Sequence, residues 1–123
     1  MRAEQGRLTG VAARRFGALA VKQLTGRKGT DFSVLHIKMR PGSSAPLLHH
    51  ARTDEFLLIL KGSSYGRIGR RSVRLKAGDF AYMPAGTRHE FRAGPQGVEI
   101  LDVFAPRLDL DAPDVVMAKG RQW

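Results

Sequence analysis

Residues 78–91 read GDFAYMPAGTRHEF and carry Gly78, Pro84, Gly86 and His89 at wide, fixed intervals. The apolar start of this stretch predicts a strand, which Pro84 ends because proline has no amide donor. Gly86 then permits a tight turn, since glycine adopts backbone angles closed to other residues. His89 follows as the first residue of another strand. The stretch therefore predicts two strands joined by a turn, the second of which presents an imidazole at its start.

Residues 47–62, LLHHARTDEFLLILKG, hold the other polar residues of interest. His49 and His50 are adjacent, and Glu55 follows after four intervening residues. Imidazole and carboxylate groups in combination are typical of transition-metal sites and of acid–base catalysis. The five residues after Glu55 are all apolar, which predicts a strand that is covered on both faces.

The remaining sequence alternates short apolar segments with glycine and proline, a pattern typical of short strands joined by turns. Within 31–39, Leu35, Ile37 and Met39 share one face, whereas His36 lies among cations on the other, so we expect His36 outside the core. No amphipathic helix is predicted. The pattern predicts an all-β fold, a sandwich or barrel of antiparallel sheets. About eight strands are expected, at 19–24, 31–39, 56–60, 80–86, 89–93 and 98–106, with two more in 63–79 around a turn at Gly69 and Arg70.

The 123 residues have the size of one domain. We divide them into an N-terminal arm at 1–17, a barrel at 18–106 and a C-terminal extension at 107–123, which fits a short helix, an added strand or a tail. The longest apolar run, 56–60, is far shorter than the roughly 20 residues of a membrane span. No signal peptide is visible and no cysteine is present, so a cytoplasmic protein without disulfides and without a membrane partner is expected.

The formal net charge of +10 permits an anionic partner. Lysine and arginine are scattered in runs of no more than two, and no signature of a nucleic-acid-binding motif accompanies them. The charge therefore indicates a solvated basic surface, or attraction of an anionic small molecule, rather than binding of nucleic acid.

Together, the two stretches resemble the pair of motifs that defines the cupin family. The second motif matches at the four residues named for 78–91, and the first matches at Gly42, His50, Glu55 and Gly62. Fifteen residues separate the motifs, as is typical of small single-domain cupins. The resemblance covers 18–106 and implies a cupin-type antiparallel β-barrel, or jelly-roll sandwich, that forms a homodimer.

The resemblance further implies that His50, Glu55 and His89 meet inside the barrel. Two imidazoles and one carboxylate suit a divalent transition metal, for which Fe, Mn, Ni, Zn, Co and Cu are all candidates. Glu55 has a second candidate role as a catalytic general base. A metal-free polar pocket built from the same three residues is the alternative.

Two positions depart from the family pattern. Leu48 stands where a further histidine is usual, and Ala93 stands where an asparagine is usual. His49 can replace the absent histidine as a ligand if a bulge rotates it inward, because neighbours on a regular strand point to opposite faces.

Strand alternation also predicts the residues that border the candidate site, because every second side chain faces the interior. Positions in step with Glu55 form an apolar floor, and positions in step with His89 form a wall. Three further residues, Arg52, Tyr65 and Arg67, can reach the mouth and hold a carboxylate there, with a surface salt bridge or a solvated position as the alternative for each. The full set of predicted pocket residues is Leu48, Leu57, Ile59, Tyr65, Arg67, Phe91 and Ala93.

The opposite face of the apolar strand, with Phe56, Leu58 and Leu60, requires cover, and a partner subunit is the candidate. The function implied by the resemblance is that of a metal-dependent cupin acting on a small organic, anionic molecule. Dioxygenase, isomerase and lyase reactions are the candidates, with the metal as cofactor. The alternative is a metal-free cupin that binds or senses a small ligand.

Overall fold

The computed structural model describes residues 3–118. In that range the chain forms nine strands and one short 3-10 helix at Leu8–Gly10. The strands are β1 (Arg14–Phe16), β2 (Leu19–Thr25), β3 (Ser33–Met39), β4 (Ser44–His50), β5 (Asp54–Ile68), β6 (Arg71–Lys76), β7 (Phe80–Met83), β8 (His89–Ala105) and β9 (Val115–Met117). All strand pairs are antiparallel, which confirms the predicted all-β fold. None of the helices in this part of the chain is long and apolar enough to cross a membrane.

β8 is the central strand of the curled sheet, because three other strands pair with it. β5 pairs along its whole length, from Ile68 opposite His89 to Asp54 opposite Ala105. On its other side, β4 pairs with the first part of β8 and β3 pairs with the last part. The sheet continues outward through β2 and β1 on one side and through β9 on the other.

The strands are fewer and longer in the middle of the chain than the sequence predicted. The segments 89–93 and 98–106 were expected to be separate strands but belong to the single strand β8, and β5 continues through Gly62 instead of ending there. Gly62 and Gly97 have positive φ angles of 75° and 78°, and the pairing of β5 with β8 shifts register next to Gly62. The glycines therefore bend the strands where the sequence pattern indicated a stop.

Both ends of the described chain add strands to this sheet. The sequence predicted an N-terminal arm at 1–17, yet β1 in this range pairs with β2 through a hairpin at Gly17, whose φ is 59°. Within the C-terminal extension, β9 pairs with β4 and so takes the added-strand form of the three alternatives. Residues 119–123 of that extension lie outside the described residues.

The core occupies the concave side of the sheet, where alternate residues of β3, β5 and β8 are buried. Leu35, Ile37 and Met39 lie there, as alternation predicted. His36 was expected outside the core, but its side chain is only 3% exposed. β3 lies between β2 and β8, so Lys22 and Leu101 flank His36 from both sides. Burial, the largest influence, lowers the pKa of His36 below its usual value.

The outer face of β5 and β7 carries an exposed group of large apolar side chains. Phe80 and Tyr82 are 66% and 58% exposed, and Phe56 and Leu60 are also exposed. The rings of Phe56 and Phe80 stack at 5.8 Å between centroids. We call these four residues the aromatic patch. The apolar strand 56–60 is therefore covered on one face only within the described chain.

Candidate metal centre

Three strand ends bring the candidate ligands together. His50 is the last residue of β4, Glu55 is the second residue of β5, and His89 is the first residue of β8. All three side chains are buried, and one ligand atom from each lies within 4.8 Å of the other two. The structure thus places side by side the three residues that were predicted to meet.

Two hydrogen bonds hold the two motifs against each other. The Gly86 amide donates to the carbonyl oxygen of His50 at 2.8 Å. The Ala85 amide donates to Oδ1 of Asp54, also at 2.8 Å. The turn between β7 and β8 is therefore attached to both sides of the short loop at 51–53, and His89 follows that turn directly.

Hydrogen bonds at Nδ1 determine which ring nitrogen of each histidine is free. Nδ1 of His50 lies 3.0 Å from Oδ1 of Asp114, and Nδ1 of His89 lies 2.9 Å from the carbonyl oxygen of Thr87. Both partners are acceptors, so Nδ1 is the donor in each ring and Nε2 of the neutral imidazole has a free lone pair. Both Nε2 atoms face the same oxygen, since each lies 3.6 Å from Oε1 of Glu55.

Oε1 of Glu55 is buried and receives no hydrogen bond from any described residue. Three atoms with lone pairs therefore face one another at a buried position, an arrangement that a cation between them would stabilise. The 3.6 Å separations are close to the roughly 3.4 Å between two donors that bind one tetrahedral ion at about 2.1 Å. His50, Glu55 and His89 can thus hold a divalent transition metal.

Asp114 is a buried carboxylate behind His50 that the sequence did not reveal. Besides His50, its carboxylate accepts hydrogen bonds from the Arg52 amide at 2.7 Å and from the Thr53 amide and hydroxyl, each at 2.9 Å. Burial favours a higher pKa, but these hydrogen bonds outweigh it and lower the pKa of Asp114 to about 2. Asp114 therefore stays ionised and fixes both the tautomer and the orientation of the His50 ring. An acid just before an apolar pair, in a segment without periodicity, was its only signal.

Asp102 is the second residue that the sequence did not reveal. It lies on β8 in step with the buried residues Ile100 and Phe104, and its side chain borders Glu55. Burial, the largest cause, and the nearby Glu55 raise the pKa of Asp102 well above its usual range. A buried carboxyl group that favours its protonated form therefore lies beside the candidate ligand. An acid at an inward position of an apolar strand was the available signal.

A cavity of about 450 Å³ opens next to the three candidate ligands. Of the predicted pocket residues, Leu48, Leu57 and Phe91 line this cavity. Ile59 and Ala93 are instead buried in the adjoining core.

Tyr65 and Arg67 lie elsewhere, over the pairing of β5 with β6. The expectation that they reach the mouth of the cavity was wrong for a structural reason. The register shifts between Ile59 and Ser64 reverse the alternation of β5, so that positions in step with Glu55 face outward beyond this point.

His49 belongs neither to the cluster nor to the lining of the cavity. The irregularity of β4 lies between Ala45 and Leu48, before His49, so the bulge that would rotate this ring inward does not occur at its position. His49 pairs with Val116 of β9, and the neighbouring His50 takes the inward side.

The family model of the cupin domain matches residues 35–104, more than half of the chain. KdgF from Halomonas sp. superposes with a TM-score of 0.81 at 19% identity, over 90% of this chain and 100% of that one. An RmlC-like cupin from Shewanella frigidimarina gives 0.78 at 17% identity, over 90% and 97%. A variant of oxalate decarboxylase from Bacillus subtilis gives 0.69 at 23% identity, over 80% of this chain but only 28% of that one. No curated protein matches the chain in sequence. At identities of 17–23%, the likeness shows the fold alone.

Proposed function

Because the chain belongs to the cupin family, we propose that it is a metal-dependent cupin that acts on a small organic molecule. Oxidation of the dioxygenase type, isomerisation and lyase action are the candidate reactions. One observation carries the proposal: Nε2 of His50 and Nε2 of His89 face an oxygen of Glu55 that has no hydrogen-bond donor among residues 3–118.

The residues of the site have distinct roles in this proposal. His50, Glu55 and His89 hold the ion, and Glu55 is assigned as a ligand rather than a free base because its Oε1 lies equally far from both rings. Asp114 and the Thr87 carbonyl keep each Nδ1 protonated, so that each Nε2 stays available. A bound divalent ion would supply Lewis acidity or oxygen activation next to the cavity.

A metal-free cupin that binds or senses a small ligand is the second candidate. The observation in its favour is Leu48, which lines the cavity where the family pattern has a further histidine. The described site consequently offers three protein ligands instead of four.

Elemental analysis of the purified, untagged protein after reconstitution with Fe, Mn, Co, Ni, Cu and Zn ions tests the first proposal. We expect nearly one ion per chain in the wild type and a loss of that ion in His50→Ala and His89→Ala. His49→Ala is the matched control and should retain the ion, because His49 lies outside the cluster. A wild-type protein that binds none of the six ions would replace this proposal with the metal-free ligand-binding module.

We also propose that two copies of the chain associate through the aromatic patch. Its large apolar side chains are exposed on one face of the sheet, and such contiguous apolar surface is typical of contact sites between proteins. A second copy provides an equally apolar partner surface, related by a two-fold axis.

A further inference from the structure

We propose that the cavity beside the candidate ligands takes an uncharged molecule with an apolar body and one polar group directed at His50, Glu55 and His89. The inference names a class of substrate for the proposed function and depends on that function only for the polar end. The apolar end depends on the walls of the cavity alone.

The walls of the cavity are apolar on all sides except at the cluster. They come from the β1–β2 hairpin, β3, β8 and the C-terminal segment, with Leu19, Leu35, Phe104 and Leu110 as examples. The polar residues among the described lining are His50, Glu55, His89, Glu90 and Asp102. A ligand would therefore meet polar groups at one place and hydrocarbon elsewhere.

The charge of the lining disfavours an anion. No lysine or arginine occurs among the described residues of the wall, and its ionisable groups are two histidines and three carboxyl groups. An anionic group buried away from the cluster would lose its hydration without gaining a cationic partner. Arg67, a candidate for the mouth of this cavity, lies instead over β6. The lining thus disfavours a molecule with an anionic group at its apolar end.

The size of the cavity suits a small molecule rather than a few trapped waters. Its volume of about 450 Å³ lies in the range of small-molecule sites, roughly 300–1,000 Å³. The same volume would contain roughly 15 water molecules at about 30 Å³ each, most of them without polar partners on the wall. An apolar ligand that displaces this water therefore gains free energy with each buried methylene.

The test measures displacement of a neutral apolar dye, N-phenyl-1-naphthylamine, from the full chain in the presence of a metal chelator. Competitors are the 1-alkanols from butanol to decanol and the dicarboxylates oxalate and succinate. We expect the affinity of the alkanols to rise about three- to fourfold with each methylene until the cavity is full. We expect no displacement by the dicarboxylates. Displacement by the dicarboxylates, or an affinity independent of alkanol length, would overturn the inference.

Paired variants identify the place at which the dye binds. Leu19 is a half-buried wall residue, and Leu19→Lys should weaken dye binding about tenfold or more, because a charge then enters the apolar wall. Leu24→Lys is the matched control and should leave dye binding unchanged, because Leu24 is exposed on the same strand as Leu19 and does not line the cavity. Equal effects of the two substitutions, or a larger effect of Leu24→Lys, would reject the cavity.

A second variant covers the case in which Leu19→Lys does not fold. Ala45 also lines the cavity and is half-buried, so Ala45→Phe reduces the volume without adding charge. The chain length at which alkanol affinity stops rising should then be shorter than in the wild type by about two methylenes or more, because the added ring occupies part of the cavity. An unchanged limit would count against the inference.

A separate titration of the same protein with Co²⁺, without dye or alkanol, keeps this inference distinct from the proposed function. Alkanol binding without Co²⁺ binding retains the apolar cavity and rejects the metal site. Co²⁺ binding without a dependence of affinity on alkanol length retains the metal site and rejects the apolar cavity.

Discussion

At the scale of single residues, Asp114 connects the C-terminal segment to the candidate metal centre. Its side chain is 3% exposed. Its two carboxylate oxygens accept hydrogen bonds from His50, Arg52 and Thr53. One carboxylate therefore shapes the loop between β4 and β5 and also orients a candidate ligand. We regard Asp114 as a positioning residue, since it would act on the metal through His50.

Asp114→Asn should weaken Co²⁺ binding by about 10- to 100-fold, because the backbone amides of Arg52 and Thr53 retain the side-chain oxygen and the NH2 group, a donor, then faces Nδ1 of His50. Nitrogen NMR of the metal-free protein should show a loss of the Nδ1–H tautomer of His50, a change that a purely structural role would not produce. Asp111→Asn is the control, because Asp111 pairs with Arg14 on the surface. Unchanged Co²⁺ affinity and tautomer in Asp114→Asn would contradict the assignment.

The sequence was sufficient to predict the meeting of His50, Glu55 and His89, because the long spacing of their motifs resembles that of the cupin family. Asp102 and Asp114 could not be found in this way. Asp114 contacts His50 across 64 positions of the chain, and no local pattern records a contact of that kind. Side-chain pairing at this range depends on how the sheet curls, which a single sequence does not specify.

At the scale of the elements, the glycines of β5 and β8 determine how far these strands run. Gly62 has a φ of 75°, and a Cβ at its position would collide with the carbonyl oxygen of Gly97. The sequence pattern indicated that Gly62 ends a strand, because glycine more often marks a turn than a bend inside a sheet. Other turns, such as Gly69 and Arg70 between β5 and β6, were predicted at their correct places because no close approach of a second strand is involved.

Gly62→Ala and Gly69→Ala separate the cost of a positive φ angle from the cost of a collision with a second strand. Gly69 also has a positive φ, of 60°, but a Cβ there meets no atom within 4 Å. Gly69→Ala should cost about 1–2 kcal/mol of unfolding free energy from backbone strain alone. Gly62→Ala should cost about 1–3 kcal/mol more, because the backbone of β8 must also shift. Urea denaturation measures both, and equal losses would show that β8 yields freely at Gly97.

At the scale of the whole molecule, the aromatic patch leaves one face of the sheet apolar. Phe56 pairs with Tyr82, and Leu58 pairs with Phe80, so the patch spans two neighbouring strands. The sequence indicated that this face needs a cover, and within residues 3–118 Phe80 and Tyr82 remain 66% and 58% exposed. A second copy is the proposed cover, as the family resemblance also implied.

Phe80→Glu should raise the dissociation constant of the proposed dimer about 30-fold or more, since each of two copies loses roughly 1–2 kcal/mol or more at a buried aromatic residue. Sedimentation velocity should therefore show a shift from the mass of two chains to that of one. Phe32→Glu is the matched control, because Phe32 is exposed but lies outside the patch. A wild type that sediments as one chain at high concentration would reject the dimer, as would a Phe80→Glu dimer as tight as the wild type.

The C-terminal segment contacts both ends of the proposed site, and this has a consequence for binding. Leu108 and Leu110 form part of the apolar wall, and Asp114 of the same segment orients His50. A guest held against Leu108 and Leu110 and an ion held by His50 would therefore both depend on the same segment, and the two should bind cooperatively. Linkage requires this effect to be reciprocal. If the guest raises the affinity for the ion by some factor, the ion raises the affinity for the guest by the same factor.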